Sequence, residues 1–187
     1  MKRREVSIFT SEITHGFSFM RRKIGAFQNS SFTFDFIDLF FIFRMNLTKV
    51  FVYGTLKKGE PNHKTLSETA GLYKFVSEGT TIQKYPLIIA TKFNIPFLLN
   101  DPEKGHRIEG EIYEVDQEKL MTLDDLEAYP TLYDRKVEMI ELKGRNEHVE
   151  AYVYLLRKWN EKIFEGATEM LESYASLGPH GRPYVDR

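Results

Sequence analysis

No cysteine occurs anywhere in the 187 residues, which excludes thiol catalysis, disulfides and thiolate metal sites. A chain of this kind suits a reducing compartment, and a cytoplasmic protein is expected. An excess of one charge is also missing, since 26 Lys and Arg face 27 Asp and Glu for a net charge of −1. That balance gives no electrostatic attraction to nucleic acid or to an anionic membrane, so neither is expected as a partner. The five histidines, at 15, 63, 106, 148 and 180, show neither His-x-x-x-His nor two-His-one-carboxylate spacing, and no metal is expected. There is no Gly-x-Ser-x-Gly elbow for a serine hydrolase. There is likewise no Gly-x-Gly-x-x-Gly after a strand for a dinucleotide.

What the chain does have is unevenly distributed. Ten of its fifteen phenylalanines lie in residues 1–44, including the run FTFDFIDLFFIF at 32–43. Residues 1–46 carry seven Lys and Arg against four Asp and Glu, and the remainder carries 19 against 23. The phenylalanine run is too short for a membrane-spanning helix and is interrupted by Asp35 and Asp38. Glu5 and Glu12 break up the leading segment, so a secretory signal is a poor match, and the same acids weaken a mitochondrial presequence built on Arg3, Arg4, Arg21 and Arg22. Met45 stands just before the first well-patterned strand. The expectation is a poorly ordered phenylalanine-rich extension over 1–46, with 1–44 an alternative or mis-assigned start, followed by a working domain over 47–187.

From residue 47 the pattern is α+β. Strand candidates are KVFVYG, TIQKYPLIIA, IPFLLND, RIEGEIYEV, RKVEMIEL and VEAYVYLL, rich in β-branched and aromatic residues with turn residues between them. Helices are expected at about 116–128 and, less strongly patterned, near 160–173. Strands outnumber helices and do not alternate with them, which argues against a doubly wound parallel sheet. A small closed or half-closed mixed β-barrel with flanking helices fits better.

KVFVYGTLKKGEPNH, residues 49–63, runs a strand into a glycine-bounded basic loop. Gly54 and Gly59 have the spacing of a phosphate-binding loop, but Glu60 and Pro61 occupy the positions where that loop needs lysine and a hydroxyl. Glu60 would repel phosphate, and Pro61 has no amide to donate. Two alternatives remain. Gly54 either serves as a plain turn, with Val50 and Val52 on one strand face and Phe51 and Tyr53 on the other, or opens a functional loop of backbone amides.

The helix DQEKLMTLDDLEA carries the second signal. Asp116 is a good N-cap, and Glu118 in the first turn suits the helix dipole. At the helical period Leu120, Leu123 and Leu126 form an inward stripe, while Glu118 and Asp125 face water. Glu127 lies four residues after Leu123 and seven after Leu120, so its direction falls on the inward face. A carboxylate there is costly unless paired or neutralised, and burial moves it toward general acid–base use. The bland alternative is that Glu127 reaches out to solvent at the helix end, or pairs with Arg135 or a lysine. Asp124 flanks the same face.

Five ordered segments then point to one family: VFVYGTLKKGEPNHK at 50–64, YPLIIATKFNIPFLL at 85–99, GHRIEGEIYEVD at 105–116, LDDLEAYPTLYDR at 123–135 and GPHGRPY at 178–184. Together they resemble the gamma-glutamylcyclotransferase-like family, and more closely its gamma-glutamylamine cyclotransferase branch. The resemblance implies a compact mixed β-barrel with flanking helices. It places the family's substrate loop on Tyr53, Gly54, Thr55 and Leu56, and its catalytic glutamate on Glu127. It also implies an intramolecular cyclisation of a small gamma-glutamyl substrate, without metal or other cofactor. The branch implies gamma-glutamyl-ε-lysine as substrate; gamma-glutamyl amino acids, glutathione, or a non-catalytic ligand-binding module on the same barrel remain alternatives. The closing YVDR departs from the family's longer tail, and the phenylalanine-rich leader has no counterpart.

Overall fold

The computed structural model describes residues 47–186; the extension expected over 1–46 lies outside the described residues. Among the described residues seven strands occur in chain order: β1 (Thr48–Val52), β2 (Tyr73–Tyr85), β3 (Leu87–Ala90), β4 (Ile95–Leu98), β5 (His106–Val115), β6 (Tyr133–Leu142) and β7 (His148–Leu156). Two α-helices, α1 (His63–Glu68) and α2 (Gln117–Leu126), and a 3₁₀ turn at Glu161–Phe164 accompany them.

Five strands close into a barrel in the order β1-β5-β2-β6-β7. The β1–β5, β5–β2, β2–β6 and β6–β7 pairs are antiparallel, and the barrel closes through the parallel β1–β7 pair at Val50 and Tyr152. Closure leaves no exposed barrel edge to attract a foreign strand. β3 and β4 form a separate antiparallel hairpin in which Ile89 faces Pro96. This is the expected α+β mixed barrel with flanking helices.

β1 shows how the alternation of its residues builds two cores. Val50 and Val52 join Leu56, Leu66, Leu120 and Leu123, so one face of the strand packs under both helices. Phe51 and Tyr53 join Tyr85, Ile108, Ile112, Ile140 and Val153 on the other. Gly110 is required beneath Phe51, because a Cβ there would stand 2.5 Å from both the Phe51 ring and the Val52 carbonyl. On β2 the register slips between Thr80 and Lys84. The fully buried Thr81 repairs that irregularity: its hydroxyl accepts from the Ile108 amide at 2.9 Å and donates to the Gln83 carbonyl at 2.6 Å.

Three expectations need correction. The segment TIQKYPLIIA is not one strand but the end of β2 and all of β3, divided at Pro86, which cannot donate a ladder bond. No helix spans 160–173. After the short 3₁₀ turn, Gly166 adopts φ +69°, and the chain lies against β3, with Leu171 bridged to Leu87 and the Ile89 amide donating to the Thr168 hydroxyl at 3.0 Å. The third concerns the α2 stripe: Leu120 and Leu123 are buried, but Leu126 is 46% exposed. Among the described residues, no helix is long and apolar enough to cross a membrane.

Candidate active site

α2 begins as its sequence dictates. The Asp116 side chain accepts from the Lys119 amide at 2.9 Å, and Glu118 sits in the first turn. It ends in a C-cap with two characteristic bonds: the Tyr129 amide reaches the Asp124 carbonyl, and the Ala128 amide reaches that of Asp125. Ala128 supplies the left-handed residue such an ending needs, at φ +49°. Glu127 is the capping residue itself and is half-buried, and this turn fixes where its side chain begins. Leu126, the last residue of the helix, is exposed.

The stretch after β1 is a tight turn braced by the residues that follow it. The Lys57 amide donates to the Gly54 carbonyl at 3.1 Å. Asn62 holds Thr55 twice, its amide donating to the Thr55 carbonyl at 2.9 Å and its side chain to the Thr55 hydroxyl at 3.0 Å. His63 Nδ1 lies 2.9 Å from the Leu56 carbonyl, and the Lys58 amide donates to Glu111 at 2.8 Å. Asn62 and His63 therefore carry the loop's geometry, a role that sequence reasoning did not assign to them. Gly54 is buried against β4, where a Cβ would meet Pro96 Cγ at 3.0 Å. Leu56 points into the core and is 5% exposed, so only its main chain is available to a ligand.

Tyr53 joins the two halves. Its hydroxyl donates to the Tyr154 carbonyl at 2.9 Å. Burial pushes its phenol well above the ordinary range, and the nearby Tyr133 and Glu127 push it further, whereas the Leu98 backbone works the other way. Tyr53 is thus a neutral donor, and the Glu127 carboxyl lies within electrostatic reach of it. The sequence-selected glutamate and the first residue of the sequence-selected loop thus lie within electrostatic reach of one another, although 74 positions separate their numbers.

Arg135, which the sequence offered as one partner for Glu127, bonds Asp124 in the fold. Its Nη1 donates to both carboxylate oxygens of Asp124, at 2.8 and 2.6 Å, and the Tyr154 hydroxyl donates to the same carboxylate at 2.7 Å. The guanidinium lies over the rings of Tyr129 and Tyr152, 4.8 and 4.6 Å from their centres. Burial works against the Arg135 cation, but Asp124, followed by Tyr154 and Tyr129, more than offsets it and raises its pKa.

Two clefts open at the surface, the second of them against the far end of the loop after β1, at Lys57 and Glu111. One, of about 490 Å³, is lined by Thr80, Arg107 and the β6–β7 turn. The other, of about 280 Å³, is lined by Lys57, Glu78, Glu109, Glu111, Lys143 and Ser173 among others. Their charged walls pair across them, Arg107 with Glu141 and Lys143 with Glu78, as a solvated surface does. Among the described residues, no cluster of three or more His, Cys, Asp or Glu has the arrangement of a metal site.

The candidate site offers one half-buried carboxyl group within electrostatic reach of a neutral phenol, at the start of a tight turn. A carboxylate in such a position can move a proton, and main-chain amides can hold a developing oxyanion. The sequence model of a family described as gamma-glutamyl cyclotransferase, AIG2-like matches residues 50–174. A gamma-glutamylaminecyclotransferase from Mus musculus is 42% identical over 153 residues, covering 75% of this chain and 98% of the mouse protein. The Homo sapiens gamma-glutamylaminecyclotransferase is 41% identical over 152 residues, 74% of this chain and 96% of its own length. A crystal structure of an AIG2-like protein from Mus musculus superposes with a TM-score of 0.72 at 40% identity, covering 76% of this chain and 97% of that one.

Proposed function

The chain belongs to the gamma-glutamyl cyclotransferase, AIG2-like family, and from that premise we propose that it is a cytoplasmic gamma-glutamylamine cyclotransferase. Its substrate is gamma-glutamyl-ε-lysine, the small isopeptide left when transglutaminase-crosslinked proteins are degraded. Its products are 5-oxoproline and free lysine.

In this reaction the substrate's own α-amine attacks its γ-carbonyl. A new C–N bond closes the five-membered lactam, and the bond to the ε-amine of lysine breaks. Nucleophile and electrophile belong to one molecule, so the protein's tasks are orientation, proton transfer and charge stabilisation. Glu127 takes the proton from the attacking α-ammonium and delivers it to the departing amine, as general base and then general acid. The backbone amides of Gly54, Thr55 and Leu56 bind the developing oxyanion or the substrate's α-carboxylate, while the buried Tyr53 anchors the start of that turn. What supports this assignment of roles is the electrostatic contact between Glu127 and Tyr53, which joins the helix end to the loop.

The test is release of 5-oxoproline from gamma-glutamyl-ε-lysine, gamma-glutamyl-alanine and glutathione by wild type and Glu127→Gln. Release from the lysine compound, with a fall of about 10²–10⁴-fold in the folded variant, is expected from loss of general acid–base catalysis. Preference for gamma-glutamyl-alanine or glutathione would move the substrate to the α-amino acid class. No release from any of the three by folded wild type would overturn the proposal.

A further inference from the structure

Tyr53, Gly54 and Leu56 of the candidate substrate loop are buried, and Thr55 between them is half-buried. Two of the four carry a side-chain hydroxyl. That of Tyr53 is committed to the Tyr154 carbonyl at 2.9 Å, so the Thr55 hydroxyl is the loop's side-chain group that a ligand can meet. Its setting depends on Asn62. Asn62 stands at the N-cap of α1, where an asparagine oxygen ordinarily accepts from the first helix amides. Its side chain makes no such bond. It turns back to the loop instead: its Nδ2 donates to Thr55 Oγ1 at 3.0 Å, while its main-chain amide donates to the Thr55 carbonyl at 2.9 Å. A local preference set aside in this way marks a residue that the fold uses for something else.

A hydroxyl has one proton to give and two lone pairs to receive. With Asn62 donating to it, Thr55 Oγ1 is the acceptor on that side, and its own proton points elsewhere. Among the described residues no acceptor takes that proton. The turn around it is held by other bonds, the Lys57 amide on the Gly54 carbonyl and His63 Nδ1 at 2.9 Å from the Leu56 carbonyl. The Asn62 side chain therefore sets the rotation of the hydroxyl rather than its place.

We propose that Asn62 is a positioning residue, which fixes the Thr55 hydroxyl as a donor toward a negatively charged oxygen of the gamma-glutamyl group. The inference rests on the gamma-glutamyl cyclisation proposed above and gives its loop a side-chain donor of fixed direction. A charged oxygen is present throughout on the α-carboxylate and develops on the γ-carbonyl as the ring closes, and the same donor suits both.

The experiment measures kcat and KM for 5-oxoproline release by the full chain as wild type, Asn62→Asp, Asn62→Ala, Thr55→Val and the two double variants. Asn62→Asp keeps the size and the N-cap preference, but the introduced carboxylate only accepts, so the Thr55 proton turns to it and is lost to substrate. kcat/KM is expected to fall about tenfold or more, the worth of a hydrogen bond to a charged oxygen. Rates taken at about 1 M salt screen direct repulsion between that carboxylate and substrate. Asn62→Ala keeps the main-chain bond and frees the hydroxyl among about three staggered positions, for a loss of about threefold. Thr55→Val removes the hydroxyl at nearly constant shape and falls as far as Asn62→Asp, and neither Asn62 change lowers it further. A rise in KM at constant kcat assigns the contact to the α-carboxylate, and a fall in kcat assigns it to the oxyanion.

An Asn62 that merely holds the fold would cost the same with or without the Thr55 hydroxyl. Equal losses in the two backgrounds would therefore overturn the inference while leaving the cyclisation intact, as would wild-type kcat/KM in folded Thr55→Val. Should Asn62→Asp fail to fold, the cycle of Asn62→Ala with Thr55→Val decides alone. A wild type inactive on every gamma-glutamyl compound would overturn both.

Discussion

The hydroxyl of Tyr53 donates 2.9 Å to the main-chain oxygen of Tyr154, tying the candidate substrate loop to the strand whose side chain anchors the glutamate-bearing helix. Tyr53 is 8% exposed and Tyr154 3%, so the bond is dry. It also commits the phenol to the fold rather than to a substrate.

Tyr53→Phe should therefore act on stability more than on chemistry. Losing the donor leaves a buried carbonyl short of a partner, a cost of about 1–2 kcal/mol. The rate constant kcat should fall less than about tenfold, well short of a lost general acid–base group. Denaturant unfolding and initial rates on the same preparation check this. A hundredfold loss of kcat at unchanged stability would instead make the phenol a participant in the reaction.

Ala128 holds the left-handed position after Glu127 at φ +49°. An L-residue there carries about 1–2 kcal/mol of strain that glycine lacks. Glycine's greater freedom in the unfolded chain returns up to about 1 kcal/mol of that gain. Ala128→Gly should thus be neutral to modestly stabilising, with activity retained. Ala128→Val, β-branched at a positive φ, should lower Tm and displace Glu127, reducing the rate. Thermal melts of the three proteins should rank Gly at or above Ala, and Ala above Val.

How much of this was legible in the sequence varies by element, and the differences have physical causes. The alternation of Val50, Phe51, Val52 and Tyr53 and the Asp116 cap follow from local periodicity. Lys119 shows its limit. It is fully buried because its ammonium donates to the Leu66 and Thr69 carbonyls and to the Thr69 hydroxyl, capping the end of α1 some fifty residues away. No window around α2 contains those acceptors. The first half of β2, with its glycine, polar residues and a register shift between Phe75 and Ser77, lacks the alternation that marks a strand. The segment after 160 has helix-forming residues, but Gly166 and pairing with β3 prevail. Asn62 and His63 read as loop residues, and their support of Thr55 and Leu56 emerges only when the turn is folded.

Tyr174 gives a pH prediction. It is fully buried, and among the described residues its hydroxyl has no hydrogen-bond partner of good geometry. Burial pushes its phenol from 10.0 up to about 12, with Ser176 offsetting part of the rise and Glu60 adding to it. The folded state therefore keeps this proton after the unfolded chain has lost it. Stability from this group is present below pH 10 and declines as pH rises from 10 toward about 12. Tyr174→Phe removes that contribution to the alkaline slope and, by deleting an unpartnered hydroxyl, leaves stability at neutral pH unchanged or higher. Unfolding curves at pH 8, 10 and 11 compare the two; a variant markedly weaker at pH 8 would show that the hydroxyl is bonded in solution.

Arg182 fastens the C-terminal segment. Its guanidinium donates to Asn94 Oδ1 at 2.9 Å, to the Ile89 and Thr91 carbonyls at 3.1 and 2.9 Å, and to the Gly166 carbonyl. Lysine cannot reproduce a planar fork that reaches four acceptors. Arg182→Lys should cost about 1–3 kcal/mol, the worth of charged hydrogen bonds lost. It should also expose residues 165–186 to protease before the barrel is cut. The same segment holds the loop's flank, with the Lys57 ammonium donating to the Tyr174 carbonyl and the Ser176 amide to Glu60. KM should therefore rise. Unaltered cleavage kinetics would mean that the segment is held without this side chain.

Gly54 tests the loop most directly. A methyl group there would stand 3.0 Å from Pro96 Cγ and 3.7 Å from Pro96 Cβ, tighter than ordinary contact. Pro96 cannot swing away, because its ring is rigid and it faces Ile89 in the β3–β4 hairpin. The turn must yield instead, by a few tenths of an ångström. Overpacking costs about 1–3 kcal/mol, and the reduced freedom of the unfolded chain returns about 0.4–1 kcal/mol, so Gly54→Ala should fold with a modest stability loss. The displaced amides should weaken substrate binding, and KM should rise by about tenfold, since a shift of this size in a binding group costs roughly a hydrogen bond. Gly110→Ala is the control. Its added Cβ would lie 2.5 Å from the Val52 carbonyl in the barrel wall, where the backbone cannot give way, and it should lower Tm far more. Equal losses of stability with no change in KM for Gly54→Ala would reduce Gly54 to a packing residue and remove the loop from substrate binding.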